Sequence, residues 1–140
     1  LSKKTQINFI ECPKTLILTP ASKIINANSN LSINKNYTMN CYILNQDPNR
    51  VVFEFNYSID AIYDEQTSIL DDFVFIVFAT NKEEDEKLIE KRFIKSIDIE
   101  KKPLKSNEKI KMNFLLEDEI EIDKSLYDQK IKLFFGIIKV

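Results

Sequence analysis

Residues 51–59 read VVFEFNYSI, and the side chains change character at every step. Val51, Phe53, Phe55, Tyr57 and Ile59 fall on one side, and Val52, Glu54, Asn56 and Ser58 on the other. Only an extended chain separates two such sets by face, so the segment predicts a half-buried β-strand. The same alternation marks residues 37–44 (YTMNCYIL), 109–117 and 130–138, and less regularly 93–99. A weaker strand at 15–19 is stopped by Pro20. FVFIVFA, residues 73–79, is apolar throughout and rich in β-branched and aromatic side chains, which predicts a strand over residues 73–80 buried on both faces. It is far shorter than the ~18 to 20 residues that a membrane-spanning helix needs.

About seven strands spaced ten to twenty residues apart predict an all-β fold, an immunoglobulin-like antiparallel β-sandwich. Helical periodicity is scarce. NKEEDEKLIEKRF, residues 81–93, places charges at helical spacing but has few apolar positions. A long solvated hairpin tip between the strands beginning at Phe73 and Phe93 is the favoured reading. With one glycine in 140 residues, the turns must rely on Asn, Asp and Pro, as in NQDPN at 45–49. Gly136 lies inside the last strand, where glycine marks a bulge or a close backbone approach. The length suits a single domain at residues 11–140, preceded by a polar tether at residues 1–10 that begins LSKKTQIN.

Composition removes several chemistries. The chain has no histidine, which excludes Ser–His–Asp and Cys–His catalysis and most zinc sites. A single glycine excludes the phosphate-cradling loops of nucleotide-binding proteins. A net charge of −2 leaves no basic footprint for nucleic acid. Lysine so outnumbers arginine, which occurs only at Arg50 and Arg92, that the bias reads as AT-rich codon supply, and lysine clusters carry little meaning. The acidic runs at 71–72, 83–86 and 117–123 read as solvated loops rather than catalytic carboxylates. Asp60, Asp64, Glu65, Asp71 and Asp72 fall in one inter-strand connection, but without the ligand spacing of a calcium loop. Sequons at Asn30, Asn36 and Asn56 are what an asparagine-rich chain contains by composition, and leave a secreted or extracellular origin as the alternative location. The expectation is therefore not an enzyme, with no cofactor and no metal.

Two cysteines remain, Cys12 and Cys41. A metal pair lacks further ligands, and a nucleophile lacks its imidazole. Either the two are free thiols or they form one disulfide, and the second is favoured. Cys12 precedes the first weak strand and Cys41 lies on the next strong one, and neighbouring strands in a sandwich bring Cα atoms to the ~5.5 Å that a bridge requires. A disulfide places the chain in an oxidising compartment.

ECPK at Glu11–Lys14, NC at Asn40–Cys41, then VVFEFNYSI, FVFIVFAT, EKRF at Glu90–Phe93 and KLFFGI at Lys132–Ile137 follow in an order that resembles a group of small alphaproteobacterial lipoproteins. The resemblance covers residues 11–140. It departs from the group at Asn40, where a glycine is usual, and in a longer, more acidic NKEEDE tip. It implies export, a lipid anchor upstream of Leu1 and a periplasmic domain held at the outer membrane, and it implies no activity.

The function expected is a non-catalytic, membrane-tethered periplasmic domain that binds another protein in a cell-envelope assembly. Sandwich edges suit strand addition, although Lys109–Lys111 and Lys130–Lys132 read as edge protection. The alternative is a ligand- or carbohydrate-binding module with Tyr42, Tyr57, Tyr63 or Tyr127 forming an exposed platform.

Overall fold

The computed structural model describes residues 6–26, 29–63, 69–99 and 109–140. Ten strands are present among these residues: β1 (Ile7–Phe9), β2 (Lys14–Ile17), β3 (Lys23–Ile25), β4 (Ser29–Ile33), β5 (Thr38–Leu44), β6 (Asp47–Tyr63), β7 (Ile69–Thr80), β8 (Lys87–Ile99), β9 (Ile110–Asp123) and β10 (Lys132–Ile138). A 3₁₀ turn covers Thr19–Ala21, and one helical turn, α1 (Lys124–Tyr127), links β9 to β10. The fold is an all-β sandwich of a six-stranded and a four-stranded sheet.

The long strand β6 organises the first sheet. β9 runs antiparallel along one of its edges in unbroken register from Arg50↔Asp123 to Tyr63↔Ile110. Its other edge is shared, with β5 opposite its first part and β4 opposite Ile59–Tyr63. β1 extends the sheet beyond β5, and β3 extends it beyond β4. The second sheet has the order β2–β10–β7–β8, antiparallel except for the parallel β2–β10 pair.

The period-two residues point where alternation predicts. Val51, Phe53, Phe55, Tyr57, Ile59 and Ala61 are buried on the inner face of β6. Phe73, Phe75, Val77 and Ala79 of β7, and Leu133, Phe135 and Ile137 of β10, close the core from the opposite sheet. β7 is buried on its outer face too, at Val74 and Ile76. Phe75 is the aromatic hub. It stacks on Tyr57 at 4.3 Å between ring centroids and meets Phe55 and Phe135 at 5.8 Å each and Phe93 at 6.3 Å.

Several boundaries differ from the sequence reading. Ile7–Phe9, expected in the tether, pair with β5. β6 begins at Asp47, because the β5–β6 turn needs only Asn45 and Gln46. β8 begins at Lys87 rather than Phe93, which confines the tip to 81–86. There the Asn81 side-chain oxygen accepts hydrogen bonds from the backbone N–H groups of Asp85 and Glu86, the local bonding that lets asparagine replace glycine in a turn. The acidic stretch 117–123 is strand, not loop. Asp118, Ile120 and Ile122 face inward while Glu117, Glu119, Glu121 and Asp123 face solvent, so the alternation outweighs the charge.

Gly136 is a close approach. A Cβ there would lie 2.5 Å from the Ala21 carbonyl oxygen and 2.7 Å from the Ala21 Cβ. Gly136→Ala is therefore expected to destabilise the fold by about 1–3 kcal/mol through overpacking. Urea denaturation measures it, and a midpoint unchanged from the parent protein contradicts the close contact.

Candidate functional site

Cys12 and Cys41 form a disulfide with Cα atoms 5.3 Å apart. It fastens the segment where the chain leaves the first sheet after β1 and enters the second at β2. The Ile10 N–H donates to the Cys41 carbonyl at 2.9 Å beside it. The bridge therefore ties the link between β1 and β2 to β5, and the cysteines offer no thiol for chemistry.

The four candidate tyrosines do not form a platform. Tyr57 and Tyr63 are core residues at 3% and 1% exposure, because both lie on the inner row of β6. Tyr42 is buried on the outer face of the first sheet and donates to Glu54 at 2.9 Å. Tyr127 sits on α1 and donates to the Glu11 carbonyl at 2.7 Å. Of the five carboxylates considered for calcium, Asp64 and Glu65 lie outside the described residues. Asp60 accepts from Asn34 and Asn113, Asp71 from Ser29 and Asn26, and Asp72 from Ser96. Each is held by a neutral donor of its own, and no metal-holding group of three His, Cys, Asp or Glu occurs among the described residues.

What the fold does build is a pair of strand edges on one side of the sandwich. Among the described residues, β8 pairs only with β7, and β9 only with β6. A link crosses between the edges. Lys95 of β8 donates to Asp118 of β9 at 3.1 Å and to the Glu117 carbonyl at 3.4 Å, and the Tyr57 hydroxyl donates to Asp118 at 2.6 Å. The Asp118 side chain is only 7% exposed, so its charge is satisfied by this lysine and phenol together.

The two edges differ in kind. β8 carries Lys91 and Lys95 on the row facing the opposite sheet, where they lie across from Val77 and Phe73. Inward-pointing lysines guard an edge, because a second strand laid there must desolvate them. β9 has neither proline nor bulge along its fourteen residues, and its sole inward charge is Asp118. Its solvent row also shows Leu115, at 85% exposure. The lysines expected to guard edges are divided: Lys111 lies on β9, but Lys132 lies on β10, which is flanked by β2 and β7 and is no edge. Alternation identified these strands but said nothing about which had two neighbours.

A concavity lies at the disulfide pole. A cleft of about 500 Å³ is lined by residues including Glu11, Lys14, Lys82, Tyr127, Lys130 and Lys132. Lys132 is paired with Glu84 at 3.4 Å.

The buried phenols make the fold sensitive to alkali. Burial foremost, then the hydrogen bond to Glu54 and the charges of Glu119 and Glu54, push Tyr42 up to about 12. Tyr57 is also raised, by burial and then by its bond to Asp118, and burial raises Tyr37 and Tyr127. In the unfolded chain these groups titrate near pH 10, so the folded state binds its phenolic protons more tightly. The stability they contribute is complete below about pH 10, and the part that Tyr42 contributes is lost as pH rises through about 12. Phenolate absorbance is expected to lag behind that of free tyrosine and then to step upward together with loss of β-sheet circular dichroism. A smooth titration of Tyr37, Tyr42, Tyr57 and Tyr127 near pH 10 in folded protein contradicts this.

Comparison of the chain with models of protein families, with curated proteins and with solved structures finds no match.

Proposed function

We propose that the chain is a non-catalytic, membrane-tethered domain of the periplasm that binds another protein of a cell-envelope assembly by adding a strand to β9. The observation that carries this reading is the long, unbulged edge of β9, along which no strand pairs among the described residues, with the Glu117 carbonyl held by Lys95 of the neighbouring lysine-guarded edge of β8. Unpaired N–H and C=O groups along a strand are a template for another extended chain. The disulfide supports an oxidising compartment, and the likeness to lipoproteins supports a lipid anchor at the outer membrane. The order of the strands supports an immunoglobulin-like sandwich in which β2, running parallel to β10, takes the place of a final strand.

A photo-crosslinking residue at Leu115 in source-cell membranes tests the reading, with the same residue at Lys91 as control. The expected result is one envelope protein captured in stoichiometric amount from Leu115 and not from Lys91. Recovery of a soluble protein with no crosslinked partner overturns it.

The cleft at the disulfide pole favours a second reading, a ligand-binding module for an anionic small molecule or sugar derivative, because its lysines Lys14, Lys82 and Lys130 outnumber its carboxylates Glu11 and Asp128. Calorimetric titration with sulfated and unsulfated oligosaccharides tests it, and no heat with either excludes it.

A further inference from the structure

The charges along β9 are arranged in blocks. Lys109 immediately precedes the strand, and its solvent-facing row runs on from Lys111 through Asn113 and Leu115 to Glu117, Glu119, Glu121 and Asp123. The strand is cationic at its start, uncharged in the middle and anionic at its end. Such a row is complementary to itself when reversed. We infer that β9 pairs antiparallel with β9 of a second copy of this chain, across a two-fold axis at Leu115, to join two six-stranded sheets into one.

The backbone supports this register independently of the charges. The N–H and C=O of one strand residue point to the same side, and those of the next residue to the other. The Glu117 carbonyl accepts from Lys95 on the open side, so Glu117 and the other odd-numbered residues turn their backbone groups outward. An axis at Leu115 sets odd residues opposite odd residues, the pairing in which these groups exchange hydrogen bonds.

In that register Leu115 meets Leu115, Asn113 meets Glu117, Lys111 meets Glu119 and Lys109 meets Glu121, each unlike pair occurring twice. No like charges face one another. On the inner row Phe114 meets Leu116 and Ile110 meets Ile120, while Asp118 keeps Tyr57 and Lys95 and lies opposite Met112. The 85% exposure of Leu115 in the single chain is the apolar centre that such an axis buries. Opposite-charge and apolar cross-strand pairs of this kind stabilise antiparallel sheets. A closed two-fold contact also consumes the edge, and so prevents open-ended aggregation.

This inference rests on the reading of β9 as a recruiting edge, and concerns what occupies it when no other partner does. Sedimentation equilibrium of the oxidised full chain tests it from about 1 µM to 1 mM at low and high salt. A monomer–dimer equilibrium that weakens with added salt is expected. Lys111→Glu and Glu119→Lys are each expected to weaken dimerisation by roughly tenfold, since each places two pairs of like charges across the axis. The double variant restores the opposite-charge pairs and is expected to return the affinity to near that of the parent. A photo-crosslinker at Leu115 is expected to join the same position in both copies. A protein that is monomeric at every concentration, or single and double variants with merely additive effects, overturns the inference. Monomeric protein that still crosslinks from Leu115 to an envelope protein overturns the dimer and leaves the proposed function standing. A dimer with no such capture does the reverse. All three positions are solvent-facing, and circular dichroism of each variant establishes that it is folded.

Discussion

Phe75→Ala is expected to remove about 3–5 kcal/mol of stability, a large share of what a domain of this size possesses. Phe75 is fully buried and touches four other rings, two from β6, one from β8 and one from β10. Truncation to Cβ leaves a cavity that no single neighbour can fill, because the rings around it are held by three different strands. The stacked partner Tyr57 is further fixed by its hydrogen bond to Asp118. The effect should therefore spread to the Lys95–Asp118 link at the open side of the sandwich. Urea denaturation of parent and variant gives the loss directly. A second measurement, amide exchange along β8 and β9, should show faster exchange near Lys95 and Asp118. A loss under about 1 kcal/mol would mean that the core relaxes around the gap and that Phe75 is not its hub.

The second large effect concerns the disulfide. The bridge closes a loop with a sequence separation of 29. On the chain-entropy model such a loop contributes about 3–4 kcal/mol by restricting the unfolded chain. Replacing both cysteines by alanine is expected to cost that amount. Alanine is preferred to serine because Cys41 is buried at 1% exposure, where an unpaired hydroxyl would add its own penalty. Reduction of the parent protein should give a similar loss, and the doubly substituted protein should be insensitive to reductant. Amide exchange should rise first in β1 and β2, the two short strands at the point where the chain changes sheets. Two free thiols in native, non-reduced material would refute both the staple and the oxidising compartment deduced from it.

The strands most legible in the sequence are the long ones, whose faces either alternate in polarity or are both apolar. VVFEFNYSI was readable because every second residue of β6 enters the core, and FVFIVFAT because both faces of β7 are covered. β1, β3 and β4 leave no such signal. Strands of three to five residues display too few alternations, and β3 forms only by pairing with β4, which itself lines up on β6. The end of β9 is obscured in the sequence for a different reason. Its run of acids looks like a solvated loop when taken by composition, yet Ile120 and Ile122 keep the inward row apolar. Asp118 broke that inward pattern, and the compensating groups, Tyr57 and Lys95, lie 61 and 23 residues away in the chain.

The candidate sites divide in the same way. The cysteine pairing was within reach of sequence because only two thiols were present, and elimination left few alternatives. The tyrosine platform was not. Whether a tyrosine is a ligand-facing ring or a core ring depends on which face of its sheet is covered, and for Tyr57 and Tyr63 that face is the interior.

By itself the sequence determined that the chain is built of strands, since alternation is a property of neighbouring residues and needs no knowledge of the rest. It also determined what chemistry is missing, since a chain without histidine cannot acquire one by folding. Only the tertiary structure decided which strands lie at the edges: a strand is an edge by virtue of the neighbour it lacks, and neighbours come from anywhere in the chain. That is why Lys132 on β10 guards nothing while β9, with its blocks of opposite charge, stands open among the described residues.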